Sequence, residues 1–105
     1  MKIQGENQVL GMPVSDTDGR RLGRVVALDC APDPYTAAWF VLRLRGWRRR
    51  LRAVPAQHAQ WGCGVELRVP YRRDQVLASP ALAAEQRDAA GSHREVEAFY
   101  APVPG

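Results

Sequence analysis

Apolar and polar residues alternate along much of the chain before Pro70, and a period of two is typical of β-strands. The clearest run covers residues 38–45, and four other runs predict strands at residues 9–14, 20–29, 50–55 and 64–69. The clearest run has an apolar face with Phe40, Leu42 and Leu44, and a mixed face with Val41, Arg43 and Arg45. Five short strands with tight turns predict a mainly β fold, a small antiparallel β-barrel.

Turn and breaker residues separate these strands. Asp16 and Asp18 lie in a cluster of turn-forming residues, and Asp18-Gly19 predicts a hairpin because glycine accepts a positive φ at little cost. Gly23 lies inside the second strand, where a glycine indicates a bulge or a sharp coil of the sheet. Pro55 ends the fourth strand, and residues 56–61 are predicted to form a short connector.

After Pro70 the pattern changes from strands to helices. Residues 72–78 predict a short helix, and Ser79-Pro80 begins another, with serine as the N-cap and proline at the first helical position. Ser92 and Glu95 have the spacing of a capping box at the start of a third helix. Its apolar stripe consists of Val96, Phe99 and Tyr100. We expect the helices to cover an open edge or one mouth of the barrel, or the stripe to contact a second copy.

The length of 105 residues fits one domain with a single thin core. We divide the chain into an N-terminal segment (1–8), the predicted barrel (9–78) and a C-terminal helical extension with a tail (79–105). Hydrophobic residues make up 46% and charged residues 25%, as in ordinary globular proteins. Because no apolar run reaches the roughly 18 residues of a membrane span and no signal peptide is recognisable, we expect a cytoplasmic protein without membrane insertion.

Arginine supplies nearly all of the positive charge. The chain has 15 Lys+Arg against 11 Asp+Glu, a net charge of +4, and Lys2 is its only lysine. A GC-rich codon bias explains this preference without any function, whereas selection for planar guanidinium groups would serve carboxylate or phosphate binding. Composition leaves both explanations open, and the small net charge does not favour nucleic acid as the first choice of partner.

The sequence contains no recognisable metal site at its acidic turn. Asp16 and Asp18 resemble the start of a calcium loop, which needs further ligands at fixed spacing. When Gly19 is aligned with the glycine of such a loop, Val14 and Val25 fall at ligand positions, and neither side chain can bind a cation. We therefore interpret this segment as a hairpin turn and predict no metal.

The histidines and cysteines also form no recognisable site. His58 and His93 lie far apart without a nucleophile or carboxylate motif, and Cys30 and Cys63 form neither a CxxC pair nor a zinc spacing with them. Cys30 is predicted to be a small buried residue on a strand. We predict that the protein is not an enzyme and binds no cofactor.

The order of these features resembles the opening of the photosynthetic-reaction-centre barrel (PRC-barrel) family. That opening reads roughly G-x-x-V-x-D-x-x-G-x-x-[IL]-G-x-V. It is matched here by Gly11, Val14, Asp16, Gly19, Leu22, Gly23 and Val25. Later positions of the pattern are occupied by Asp33-Pro34, residues 39–42, Gly46, Val54-Pro55, Ser79-Pro80 and Phe99-Tyr100, so that the resemblance covers residues 9–100.

The resemblance implies a β-barrel that serves as an assembly or docking surface. Members of this family include the cytoplasmic domain of a reaction-centre H subunit and the C-terminal domain of a ribosome maturation factor. From the sequence we expect neither the membrane helix of the first nor the preceding second barrel of the second. The resemblance therefore implies a free-standing member and informs the fold more than the role.

The strongest candidate for a binding surface is an arginine-rich hairpin with an exposed tryptophan at its tip. Its residues are Arg43, Arg45, Trp47, Arg48, Arg49, Arg50 and Arg52. Such a group contacts a protein partner, binds RNA through phosphate and base stacking, or is merely a solvated face. We predict a protein-binding adaptor that self-associates as a homodimer, and the alternative is an RNA- or ribosome-associated accessory protein.

Overall fold

The computed structural model describes residues 1–46, 51–62, 65–80 and 93–100, and in the last range the side chains of residues 97–100 only. The elements of these ranges confirm a mainly β fold. They are α1 (Glu6–Val9), β1 (Pro13–Ser15), β2 (Arg21–Cys30), β3 (Ala37–Leu44), β4 (Leu51–Pro55), β5 (Gln60–Gly62), β6 (Glu66–Arg68), α2 (Arg73–Ala78) and α3 (His93–Tyr100).

The strands form one six-stranded sheet in the order β4-β3-β2-β1-β6-β5. Neighbouring strands are antiparallel except for β1 and β6, which run parallel. Within the described ranges β4 and β5 are the edge strands of the sheet, which is not closed. The predicted small antiparallel barrel, closed or strongly coiled, is therefore not confirmed, and the sheet is mixed. Alternation along a strand carries no information about the direction of its neighbours.

The observed strands differ most from the predicted ones at the first strand and around the last. Part of the run predicted at residues 9–14 is helical, because α1 ends at Val9, whose side chain is fully buried. β1 begins at Pro13, a position that needs no N–H in the ladder. The connector predicted at residues 56–61 contains the start of β5, which pairs with β6. A strand of three residues is too short to be recognised by alternation.

The hairpin between β1 and β2 forms at the predicted turn. Asp16 is 1% exposed, and its Oδ1 accepts the backbone N–H of Asp18 at 2.9 Å and that of Arg20 at 2.8 Å. Gly19 has a φ of 83° and donates its N–H to the Asp16 carbonyl. These bonds compensate the carboxylate for the water that it loses on burial. Asp16 thus sets the start of β2.

Gly23 lies beside an irregularity in the sheet, as the sequence predicts. The pairing of β1 with β2 skips Leu22, which is an extra residue on β2. A Cβ atom on Gly23 would lie 2.9 Å from the carbonyl carbon of Arg43 and closer still to its oxygen. Only glycine allows β2 and β3 to approach so closely at this point.

Both faces of the sheet carry apolar side chains. The main core includes Phe40 and Leu42 of β3, which are fully buried, and receives Val9 from α1 and Val76 from α2. The opposite face has a smaller cluster of Ala27, Val41 and Ala53. The predicted division of β3 into two faces is confirmed, and the second face is apolar at one end only.

The short helix predicted after Pro70 is confirmed as α2. The helix predicted to begin at Ser79-Pro80 and the capping box at Ser92 fall largely on residues outside the described ranges, whereas α3 lies where a third helix is predicted. No helix in the described part of the chain is long and apolar enough to span a bilayer.

Candidate partner-binding site

Two of the predicted binding residues lie exposed at one end of the sheet. Arg43 in β3 and Arg45 just after it alternate with Leu44, which is buried, so that both arginines lie on the face opposite the main core. The remaining residues of the predicted hairpin tip lie outside the described ranges, namely Trp47, Arg48, Arg49 and Arg50.

Arg52 lies away from this surface, although the sequence groups it with the exposed arginines. It is 3% exposed and pairs with Leu42 on the core side of the sheet. Its Nη1 donates to the Leu51 carbonyl at 3.0 Å, and its Nη2 donates to the Leu77 carbonyl at 3.4 Å. Arg52 therefore joins β4 to the last turn of α2, because alternation along β4 turns it inward.

Arg43 and Arg45 share a groove with two arginines of β2 that the sequence does not single out. These are Arg21 and Arg24, and all four side chains are exposed. The groove has a volume of about 650 Å³. Its other lining residues are Gly11, Gly23, Val25, Val26, Leu44 and Gly46. We call this surface the arginine groove.

The bulge on β2 brings its two arginines to the same side. Arg21 and Arg24 are three residues apart, a separation that places side chains on opposite faces of a regular strand. Leu22 is the extra residue between them, and it shifts the alternation by one position. The bulge that the sequence predicts at Gly23 could have indicated that Arg21 and Arg24 lie on the same face of the sheet.

Two arginines of the groove face each other directly. Arg24 and Arg43 are partners in the register between β2 and β3. Like charges at directly opposite positions of a sheet destabilise it. None of the described residues that line the groove is acidic. A bound anion would remove this repulsion, and the bidentate geometry of guanidinium groups suits carboxylate or phosphate.

Three hydrogen bonds from arginine side chains to backbone carbonyls hold the groove together. Arg24 Nη1 donates to the Gly11 carbonyl at 2.9 Å. Arg73, on α2, donates from Nη1 to the Arg21 carbonyl at 3.4 Å and from Nη2 to the Arg45 carbonyl at 3.2 Å. α2 therefore links the start of β2 to the end of β3, the two segments that carry the groove.

The residues considered for catalysis or metal binding are not brought together in the described ranges. These ranges contain no group of three or more His, Cys, Asp or Glu side chains that could hold a metal ion. His58 is exposed in the turn before β5, and Cys63 and the side chain of His93 lie outside the described residues. Cys30 is half-buried, and burial is the main factor that raises the pKa of its thiol.

α3 lies beside the edge strand β4, and its last residue belongs to an aromatic cluster. The ring of Tyr100 lies 4.8 Å from that of Tyr71, 5.0 Å from that of Phe99 and 6.4 Å from that of Trp39. Tyr100 contacts both the main core and the smaller cluster on the opposite face. This placement agrees with the expectation that a C-terminal helix covers an open edge. Burial raises the pKa of Tyr100 to about 12.

Raising the pH above 10 is expected to weaken the packing of Tyr100. A tyrosine in an unfolded chain titrates near pH 10, whereas the pKa of Tyr100 in the fold is about 12. Its contribution to the free energy of unfolding is therefore complete below pH 10 and is lost as the pH approaches 12. Urea unfolding across this range measures the loss, and Tyr100→Phe should show a shallower decline. An equal decline in both proteins would contradict this role.

No protein-family model matches the chain, and the search of curated proteins gives no match either.

Proposed function

We propose that the protein is a non-enzymatic, cytoplasmic protein-binding module of the PRC-barrel type that acts as an adaptor. The observation that carries this proposal is the arginine groove, where four exposed arginines from two strands line one surface. Arg24 and Arg43 lie directly opposite each other, an arrangement that weakens the sheet unless an anion offsets it. Functional surfaces commonly retain such unfavourable arrangements at some cost in stability.

Several features favour a protein partner over RNA. The described residues that line the groove include no aromatic side chain, whereas single-stranded nucleic acid is commonly bound by stacking of bases on aromatic rings. Arginine is enriched at protein interfaces, and its fork-shaped guanidinium binds carboxylates in a bidentate manner. RNA is the alternative that the experiment below tests.

Self-association is the second part of the proposal. β5 is an end of the sheet in the described ranges, and the side chain of Trp61 on this strand is 40% exposed. Pairing of two such edges would cover the tryptophan and supply a neighbour to a strand that has none on its outer side in the described ranges. Light scattering on the purified protein is expected to give twice the monomer mass of 11.7 kDa.

Capture of partners from the native cell lysate tests the adaptor proposal. We expect tagged protein to retain a discrete protein partner after nuclease treatment, and Arg24→Glu combined with Arg43→Glu to lose it, because charge reversal repels an acidic surface. The matched control is Arg20→Glu with Arg72→Glu, which makes the same change of charge at two exposed arginines outside the groove. Retention of the partner by the groove variant, or its loss after nuclease treatment, would contradict the proposal.

A further inference from the structure

The two groove arginines of the β3 segment follow a regular spacing. Arg43 and Arg45 are two residues apart, and the Arg45 N–H continues the pairing with β2 by donating to the Leu22 carbonyl at 2.8 Å. Residues two apart in extended backbone are separated by about 7 Å. Arg24 lies directly across from Arg43, at the distance of roughly 5 Å between Cβ atoms that such pairs have. Arg43 and Arg45 therefore form a short row along β3, and Arg24 lies beside this row.

An extended peptide has the same repeat as the pair on β3. Its alternate side chains point to one side and are also about 7 Å apart. Carboxylates at alternate positions can therefore each meet one guanidinium group along β3, and Arg24 adds a second donor fork beside Arg43. Contiguous acidic residues place every second carboxylate on the far side of an extended chain and meet fewer arginines.

The rest of the groove suits a peptide rather than a nucleotide. Val26 is a half-buried aliphatic residue of its lining, and Gly11 and Gly46 are exposed and leave their backbone uncovered. The apolar side chains of a segment with alternating acids can contact such a surface, whereas bases have no aromatic ring to stack on among the described lining residues. The volume of about 650 Å³ lies in the usual range of ligand sites and admits a short peptide segment.

We propose that the arginine groove binds an extended acidic segment of a partner protein with Asp or Glu at alternate positions. This inference rests on the proposed function and names the chemistry of the partner. It also explains why Arg24 and Arg43 face each other without a described acid between them. In the free protein, Arg43→Gln removes this repulsion and is expected to raise the melting temperature by about 1–4 °C at low salt.

Fluorescence anisotropy with synthetic peptides tests the pattern. The probe is a labelled peptide with three aspartates that alternate with valines. Its comparators have the same residues with the aspartates contiguous, or asparagine in place of each aspartate, and a labelled oligouridylate represents RNA. We expect the alternating peptide to bind at least about tenfold more tightly than each comparator, and Arg43→Gln with Arg45→Gln to weaken it by a similar factor. Arg20→Gln with Arg72→Gln should leave its affinity unchanged.

Several outcomes would overturn the inference. Equal affinity for the contiguous and alternating peptides would contradict the spacing argument. Tighter binding of the oligouridylate would show that the ligand is a nucleic acid. An unchanged affinity of the Arg43→Gln, Arg45→Gln variant for the alternating peptide would show that the site lies elsewhere. Failure of the inference can be told apart from failure of the proposed function. If no acidic peptide binds but capture of a protein from lysate still depends on Arg24 and Arg43, the proposed adaptor function is supported and the groove binds a different kind of segment. If the alternating peptide binds but no protein is captured, the ligand chemistry of the groove stands and the adaptor proposal fails.

Discussion

Replacing Gly23 with valine is expected to lower the free energy of unfolding by about 3 kcal/mol or more, at or above the upper range for overpacked sites. A Cβ atom at this position would lie 2.9 Å from the carbonyl carbon of Arg43 and 3.0 Å from the Cα of Leu44. Both contacts are to backbone, which cannot rotate away as a side chain does. β2 and β3 must separate to admit the new side chain, and their hydrogen bonds lengthen as a result.

Alanine at the same position isolates the steric effect. Gly23→Ala adds the Cβ atom alone and should already destabilise the protein, whereas Gly5→Ala adds it at a position with no atom within 4 Å. Thermal melts measure both variants, and a loss of 3 kcal/mol corresponds to a fall of roughly 10–20 °C for a domain of this size. Equal melting temperatures for Gly23→Ala and Gly5→Ala would show that the strands have room for a side chain.

The same close approach couples stability to the arginine groove. Gly23 lies next to Arg24, and its close contact is the backbone of Arg43, the residue that faces Arg24 across the sheet. A variant that separates β2 from β3 also separates these two cations. Gly23→Ala should therefore weaken binding of an acidic peptide while it lowers stability. Arg43→Gln differs because it weakens binding and relieves repulsion.

Features that depend on a few adjacent residues could be predicted from the sequence. The faces of β3 follow from strict alternation, and the β1–β2 turn follows from Asp16, Asp18 and Gly19, whose chemistry acts within five residues of chain. α2 is also local. These predictions hold because hydrogen bonds and φ angles of neighbouring residues determine such elements whatever the rest of the fold does.

Features that depend on distant residues could not be predicted in the same way. The parallel pairing of β1 with β6 joins Val14 to Leu67, and nothing within either strand specifies that partner. β5 is too short for a periodic pattern. Alternation indicates which residues share a face, but it does not indicate which strands become neighbours or whether the sheet closes.

In the candidate site, the positions of some side chains could be predicted from the sequence and those of others could not. Arg43 and Arg45 are correctly placed outside the core because β3 is regular up to that point. Arg21 and Arg24 are not predicted as site residues, because the extra residue Leu22 shifts the alternation of side chains between them by one position. Arg52 is grouped with its charged neighbours in sequence, although its long side chain is buried and donates to two backbone carbonyls. A buried arginine that donates to carbonyls is an exception to the usual exposure of charges.

Phe40→Ala is expected to cost about 3–5 kcal/mol, the usual range for removal of a fully buried phenylalanine. Phe40 is 0% exposed and lies between Leu28 on β2 and Val54 on β4. Total stabilities of small domains are only about 5–15 kcal/mol, so this single change removes a large share. Urea unfolding should show a lower midpoint with an unchanged slope, because the surface exposed on unfolding stays nearly the same.

The only other phenylalanine of the chain is a matched control. Phe99 is 37% exposed and contacts Tyr100 edge to face, with 5.0 Å between ring centroids. An aromatic pair of this kind contributes about 0.5–1.5 kcal/mol beyond the burial of its area. Because Phe99 is only partly buried, Phe99→Ala should cost clearly less than Phe40→Ala. A loss as large as that of Phe40→Ala would mean that α3 belongs to the cooperative core and does not merely cover the β4 edge. A small loss for Phe40→Ala would instead contradict the packing of the sheet, because no other part of the described core has a larger fully buried side chain.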